Sequence, residues 1–124
     1  MDEDFVDPTI TRSPATESCA FIGGFIAGEG CFTRHDRRAR FAVALGATDV
    51  EMLRLIKRTL GVGFINHYAR RKSHFDDVAI FAVSNQQDLV RVIVPFMDVW
   101  LPPSYKREQY LAWRAQLLEQ HGNS

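Results

Sequence analysis

The sequence predicts an α+β fold of order α-β-β-α-β-β-α-α, with one antiparallel sheet and helices on one face of it. Two pairs of short segments with β-type alternation are each joined by a basic turn, which is typical of β-hairpins. The segments around them carry apolar residues at helical spacing. The length of 124 residues and the 46% hydrophobic content fit one domain, which we assign to residues 17–121 after a flexible lead-in over residues 1–16.

The first predicted helix is rich in glycine. Apolar residues in the run 20–28 fall at helical spacing, although Gly23, Gly24 and Gly28 each lower helix stability by about 1 kcal/mol relative to Ala. Gly24 and Gly28 are four residues apart and therefore share one face, where the absence of side chains lets another backbone approach closely. We predict a tight helix–helix contact on this face.

Turn and cap residues define the next two elements. Residues 31–34 and 39–45 form the first predicted hairpin, whose second strand alternates apolar residues with small ones. An amphipathic helix follows. Thr48 or Asp49 is predicted to cap its start, and Gly61 is predicted to end it.

The second half of the chain repeats this pattern. Residues 64–68 and 78–83 form the second predicted hairpin, again with a basic turn. Ser84 or Asn85 is predicted to cap the next helix, which runs to about residue 98. Two consecutive prolines then break the chain, and residues 104–120 form the last predicted helix.

The charged residues are unevenly distributed along the chain. The 15 Lys and Arg residues balance the 15 Asp and Glu residues, but residues 31–75 carry ten basic residues and only three acidic ones. An antiparallel ribbon fits the major groove of DNA, where arginine contacts phosphates or guanine edges. The alternative is that these cations simply lie on solvated turns. The candidate DNA contacts on the two hairpins are Arg34, Arg37, Arg38, Arg40, His67, Arg70, Arg71 and Lys72.

Several classes of protein do not fit this composition. No apolar stretch approaches the roughly 20 residues of a membrane span, and the acidic N-terminus lacks the features of a secretory signal. We therefore expect a protein that is not secreted, in the cytoplasm or, if organelle-encoded, in the matrix or stroma. Cys19 and Cys31 lack the close spacing of a structural zinc site, and we expect both to be buried as small apolar residues.

One segment resembles a known motif. Residues 21–32 read FIGGFIAGEGCF and are similar to the LAGLIDADG motif in its frequent form LAGFIDGEGxF. The resemblance continues through residues 60–65, LGVGFI, which are similar to the family pattern L-G-x-G-x-I. It extends to residues 95–98, PFMD, followed by Lys106. The resemblance covers about residues 18–115 and implies the fold of the LAGLIDADG homing endonucleases.

This resemblance implies the cleavage of double-stranded DNA with Mg²⁺. Glu29 matches the acid at the foot of the motif helix that holds the metal, and we expect the Gly28 carbonyl to add a ligand. Carboxylate, phosphate and water oxygens suit a hard divalent cation, which activates the attacking water. Lys106 matches the family's basic residue near the metal, with Arg107 as the alternative.

A single copy of the motif also has a consequence for assembly. A single Glu29 cannot act on both strands of a DNA duplex. The resemblance therefore implies a homodimer whose motif helices meet through Gly24, Phe25 and Gly28. Two-fold symmetry then implies a near-palindromic DNA site.

The sequence departs from the family pattern in two places, and these leave a second function open. Ala27 replaces the first acid of the motif. Residues 45–47, Leu-Gly-Ala, offer no side-chain donor where the family often has Gln or another polar residue. The alternative is a catalytically inactive DNA- or RNA-binding protein on the same scaffold, either a transcriptional regulator or an intron maturase.

Overall fold

The computed structural model of the chain describes residues 14–69 and 77–122. The element order agrees with the predicted order α-β-β-α-β-β-α-α when the third helical segment, which has three parts, is counted once. The elements are α1 (Pro14–Glu29), β1 (Gly30–His35), β2 (Arg38–Gly46), α2 (Val50–Leu60), β3 (Phe64–Tyr68), β4 (Val78–Val83), then α3 (Gln86–Asp88), a wider π-helical stretch (Leu89–Ile93) and α4 (Val94–Trp100), and finally α5 (Tyr105–Gly122).

The two hairpins form one antiparallel sheet, as predicted. Its strand order is β1-β2-β4-β3, so the second strand of each hairpin lies at the centre. Phe41 pairs with Val83, and Val43 pairs with Phe81. These four side chains are buried beneath the helices because alternate residues of a strand point to the same face. Within residues 14–69 and 77–122, no helix covers the other face of the sheet, and we call it the open face.

The core lies between the sheet and the helices. Ile22 and Ile26 of α1 are fully buried there, together with Leu53 and Ile56 of α2. Full burial of such side chains stabilises a fold by about 1.5–3 kcal/mol each. The predicted apolar stripe of α2 therefore forms its inner face.

Helix α5 runs alongside β1 and in the same direction. The Tyr110 ring packs 5.2 Å from the Phe32 ring, and the Trp113 Nε1 donates a hydrogen bond to the Thr33 carbonyl oxygen at 2.9 Å. One further contact, between Gln120 and Arg34, lies near the end of both elements. The start of α5 consequently lies at the Gly30 end of β1, where α1 ends.

Turn and cap geometry differs from the prediction at two positions. The first hairpin turns in only two residues, Asp36 and Arg37, with φ of 49° and 66°. Positive φ at both central residues is the geometry that matches the twist of a two-residue hairpin. Asp49 stands at the N-cap of α2, but its side chain makes no capping hydrogen bond. Asn85, in contrast, caps α3 as predicted, because its side chain accepts from the Asp88 amide at 3.0 Å.

Two other expectations differ from the structure. Helix α1 begins at Pro14, so residues 14–16 are helical, although we assigned them to the lead-in. Proline suits the first turn of a helix because its missing amide would have no partner there.

The expectation that both cysteines are buried is wrong: Cys19 is half-buried and Cys31 is exposed. Cys31 lies between Gly30 and Phe32, which face the helices, so strand alternation turns it to the open face.

Within residues 14–69 and 77–122, no helix is both long enough and apolar enough to cross a bilayer.

Candidate nucleic-acid interface and metal site

One stripe of α1 is left uncovered by the residues that the structure describes. A Cβ placed on Gly24 or Gly28 would meet nothing within 4 Å. Phe21 lies on the same stripe, three residues before Gly24, and its side chain is 58% exposed. Phe25, the third residue of the predicted interface, is half-buried and packs against the core. The stripe therefore joins an exposed aromatic ring to two open glycines, and Phe21 was not among the predicted interface residues.

Gly23 has a different role from the other two glycines of the motif. A Cβ on Gly23 would lie 2.0 Å from the Trp100 carbonyl oxygen, which is far inside van der Waals contact. The close approach within the chain is thus between α1 and the end of α4 at Gly23. Nothing in the sequence distinguishes Gly23 from Gly24, because the distinction depends on where α4 lies.

Glu29 is the last residue of α1 and is exposed. The end of a helix carries a partial negative charge, and its last carbonyl groups have no partner within the helix. The last turn of α1 contains no basic residue that would neutralise this charge. A carboxylate beside helix-end carbonyls is a set of oxygen donors that suits Mg²⁺, so the residues present fit this metal. The described residues contain no group of three or more His, Cys, Asp or Glu side chains able to hold a metal ion together.

The two candidate basic residues of α5 differ in their surroundings. Lys106 is half-buried and lies one helical turn before Tyr110, which places it toward the Gly30 end of β1. Arg107 is held by the end of α4, where its guanidinium donates to the carbonyl oxygens of Met97, at 3.2 Å, and of Leu101. These bonds satisfy helix-end carbonyls. The Arg107 side chain is therefore engaged in joining α4 to α5.

The second departure from the family pattern also lies at this end of the sheet. Gly30 pairs with Val43, and β2 continues beyond this pair through Leu45 to Gly46. The strand thus ends beside the foot of α1 with two residues that have no polar side-chain atom.

The open face carries two of the predicted DNA contacts. Arg40 pairs with Thr33 across β1 and β2, and Arg38 pairs with His35. Both arginines are exposed, and neither guanidinium has a hydrogen bond or ion pair with another described residue. Arg37 is exposed at the tip of the hairpin. These three cations form one group along the outer part of the first hairpin.

Arg34 lies on the opposite side of the sheet from this group. It follows Phe32 by two residues and so faces the helices, where its Nη2 donates to the Arg37 carbonyl oxygen at 3.4 Å and also to Gln120. Its Nη1 is buried and has no hydrogen-bond partner among the described residues. The two-residue alternation after Phe32 was available in the sequence as a signal of this orientation.

His67 also faces the helix side, since it follows the inward-facing Ile65 by two residues. It lines a groove of about 550 Å³ together with Arg54, Lys57 and Arg58 of α2. The structure therefore does not bring His67 to the open face. The predicted contacts Arg70, Arg71 and Lys72 lie outside the described residues.

The second hairpin contributes other residues to the open face. Phe64, Asn66 and Tyr68 alternate along β3 and are all exposed. Asn66 pairs with Ile80 of the neighbouring strand. An exposed amide is suited to reading adenine, and exposed rings provide apolar contacts. These residues were absent from the predicted set because that set contained only lysine, arginine and histidine side chains.

The chain is thus an α+β protein with two notable surfaces. One face of its sheet is open and cationic, and an acidic residue ends its glycine-rich first helix. Residues 22–117 match the LAGLIDADG endonuclease family, and the chain belongs to that family.

Solved structures share this fold. The structure of the group I intron-encoded homing endonuclease I-CeuI complexed with DNA has a TM-score of 0.72 and 22% identity, and the match covers 92% of this chain and 59% of that one. The homing endonuclease I-TnaI has a TM-score of 0.68 and 20% identity, with 85% and 74% covered. I-SmaMI bound to uncleaved DNA in the presence of calcium ions has a TM-score of 0.65 and 23% identity, with 83% and 37% covered. The chain thus spans less than two thirds of the length of I-CeuI and I-SmaMI.

Proposed function

We propose that the chain is a site-specific homing endonuclease that works as a homodimer and hydrolyses both strands of double-stranded DNA with Mg²⁺. The observation that carries this proposal is the position of Glu29, an exposed acid directly after the open stripe of Gly24 and Gly28. Pairing of this stripe between two copies brings both Glu29 carboxylates close to one two-fold axis. Membership of the LAGLIDADG endonuclease family supports this assignment.

The open face is the proposed DNA surface. Strand alternation places the exposed Arg38 and Arg40 on the open face, and Arg37 extends the group at the hairpin tip. A two-stranded antiparallel ribbon fits the major groove, so these guanidinium groups reach base edges or phosphates. Two copies related by two-fold symmetry present the same surface twice, which favours a near-palindromic site.

The foot of α1 is the proposed site of hydrolysis. The Glu29 carboxylate and the Gly28 carbonyl oxygen would hold Mg²⁺ together with phosphate and water oxygens. When bound there, Mg²⁺ would supply an activated water and would stabilise the leaving oxygen. The Lys106 ammonium, at the same end of the sheet, offsets the negative charge that develops on the phosphate.

The test compares the parent protein with Glu29→Gln. The substrate is a DNA duplex that spans the insertion site of the chain's own gene, and Mg²⁺ is present. The amide preserves the shape of the side chain but loses the charge that holds the metal, so we expect normal binding and no cutting. Glu119→Gln, an equal charge change at an exposed position of α5, is expected to cut at the parent rate. Cutting by Glu29→Gln at near the parent rate contradicts the proposal.

A second function is favoured by one observation. Leu45 and Gly46 bring no polar side-chain atom to the end of β2 beside the foot of α1. This departure favours a protein that binds DNA or RNA without cutting it, either a transcriptional regulator or an intron maturase. Tight, sequence-selective binding by the parent protein without cleavage in Mg²⁺ selects this alternative. We propose that either function is carried out in the cytoplasm or, if the chain is organelle-encoded, in the matrix or stroma.

A further inference from the structure

The outer part of the first hairpin extends beyond the rest of the sheet. The pairing of β2 with β4 begins at Phe41, opposite Val83. Residues 38–40 of β2 pair with β1 on one side, and on the other side they pair with no strand of the described part of the chain. Backbone amide and carbonyl groups at such an edge require other partners when water is excluded from them.

Gln86 takes the place of the missing strand. Its Oε1 accepts a hydrogen bond from the Ala39 amide at 3.2 Å, and its Nε2 donates to the Ala39 carbonyl oxygen at 2.9 Å. The same Nε2 donates to the Ser84 carbonyl oxygen at 2.8 Å. A carboxamide has two donor hydrogens, and both have an acceptor here. The side chain is therefore held in one orientation, and it binds Ala39 as a neighbouring strand would.

The hydrogen bonds between Gln86 and Ala39 lie directly between two of the exposed cations. Ala39 is buried on the helix side, and strand alternation places its neighbours, Arg38 and Arg40, on the open face. Fixing both backbone groups of Ala39 therefore fixes the strand between the two arginines. The two guanidinium groups have no partner among the described residues that would otherwise set their direction.

We propose that Gln86 is a positioning residue for DNA recognition. Before DNA binds, it holds the outer part of the first hairpin, which carries Arg38 and Arg40, in the backbone conformation that contacts DNA. A hairpin that is ordered in advance loses less conformational entropy on binding, and the contacts of its side chains with the bases depend on a fixed backbone. This inference rests on the proposed function of the open face in binding DNA.

The test uses Gln86→Met, which keeps the length of the side chain and removes all three hydrogen bonds. Gln87→Met is the matched control, since Gln87 is the exposed neighbour on the same short helix. Hydrogen exchange in the free protein is expected to become faster at the Ala39 amide and to remain slow at Val43 in the Gln86 variant only. Gln86→Glu keeps an acceptor for the Ala39 amide but sets its second carboxylate oxygen against the Ala39 and Ser84 carbonyl oxygens, so exchange at Ala39 is expected to be at least as fast as in Gln86→Met. Gln86→Ala, which removes the three hydrogen bonds without adding charge, serves if Gln86→Met does not fold.

The functional measurement is a double-mutant cycle on duplex DNA selected from a randomised library by the parent protein. Gln86→Met is expected to weaken binding roughly tenfold and to relax base preference, which is the scale of one lost base contact. Arg40→Ala is expected to cost much less in the Gln86→Met background than in the parent.

The outcomes separate this inference from the function on which it rests. Faster exchange at Ala39 combined with non-additive losses supports the positioning role. Additive losses, or unchanged base preference despite faster exchange, overturn it while DNA binding by the parent protein still stands. A parent protein that selects no duplex overturns the proposed function and this inference together, whatever the exchange measurement shows.

Discussion

The Asp98 carboxylate of α4 and the Arg114 guanidinium of α5 form a two-pronged ion pair. Arg114 Nε lies 3.0 Å from Oδ1, and Nη2 lies 3.1 Å from Oδ2. Tyr110 donates a further hydrogen bond to Asp98 at 2.6 Å. Burial by itself would raise the pKa of Asp98, but the hydrogen bonds and positive charges around it together hold that pKa below its ordinary value of 3.8. This network joins the two helices that flank the proline pair.

The lowered pKa predicts how stability depends on pH. We expect Asp98→Asn to reduce the free energy of unfolding by about 1–2 kcal/mol at neutral pH, since both partners are partly exposed. The contribution of the ionised carboxylate is fully present above pH 3.8 and is lost as the pH falls through the lower pKa of the folded state. Urea unfolding at pH 7 and at a series of acidic pH values below 3.8 measures this contribution to the free energy of unfolding. A difference between parent and variant that does not shrink in acid would contradict the prediction, and Glu119→Gln is the control.

Gly23 and Gly24 form a matched pair for testing how α1 packs. Gly23→Ala is expected to destabilise the fold by about 2–3 kcal/mol, because the new Cβ would collide with the Trp100 carbonyl oxygen. Gly24→Ala adds its methyl group to open space and raises helix propensity, so its folding free energy in the monomer should be equal or up to about 1 kcal/mol more favourable. Chemical denaturation of both variants checks this. Equal destabilisation by the two changes would mean that α1 packs through a different face.

The open stripe predicts the assembly state. Light scattering at tens of micromolar is expected to give a dimeric mass for the parent protein and a lower mass for Gly24→Leu, whose side chain would hold two stripes apart. Ala115→Leu, at an exposed position of α5, serves as a control for added apolar bulk. A monomeric parent mass, both alone and on duplex DNA, refutes the dimer.

The salt dependence of binding tests the open face. Arg40→Ala is expected to weaken duplex binding and, if the residue contacts a phosphate, to reduce the slope of log affinity against log salt by about one unit. Arg91→Ala removes the same charge at an exposed position on the helical segment before α4, and it should leave both quantities nearly unchanged. Arg114 is unsuitable as a control because its loss would break the pair with Asp98. Equal losses from Arg40→Ala and Arg91→Ala would show that the open face does not bind DNA.

Local patterns predicted the elements well where neighbouring residues alone determine them. The strands over residues 64–68 and 78–83 were predicted with the bounds that the structure has, because alternation is a property of the strand itself. Gly61 ends α2 with a φ of 76°, which glycine adopts without strain. The orientation of Arg34 was also available from its spacing to Phe32, but the prediction grouped cations by their place in the sequence rather than by the face of the strand.

The sequence by itself determined the order of the elements, the position of Glu29 at the foot of a glycine-rich helix and the membership of the family. Only the tertiary structure decided that Gly23 meets Trp100 while Gly24 and Gly28 stay open, and that Gln86 pairs with Ala39, 47 residues away. The reason is physical. Helix and strand periodicity depend on residues a few positions apart, whereas the space beside a glycine and the partner of a carboxamide depend on which distant elements the folded chain packs together.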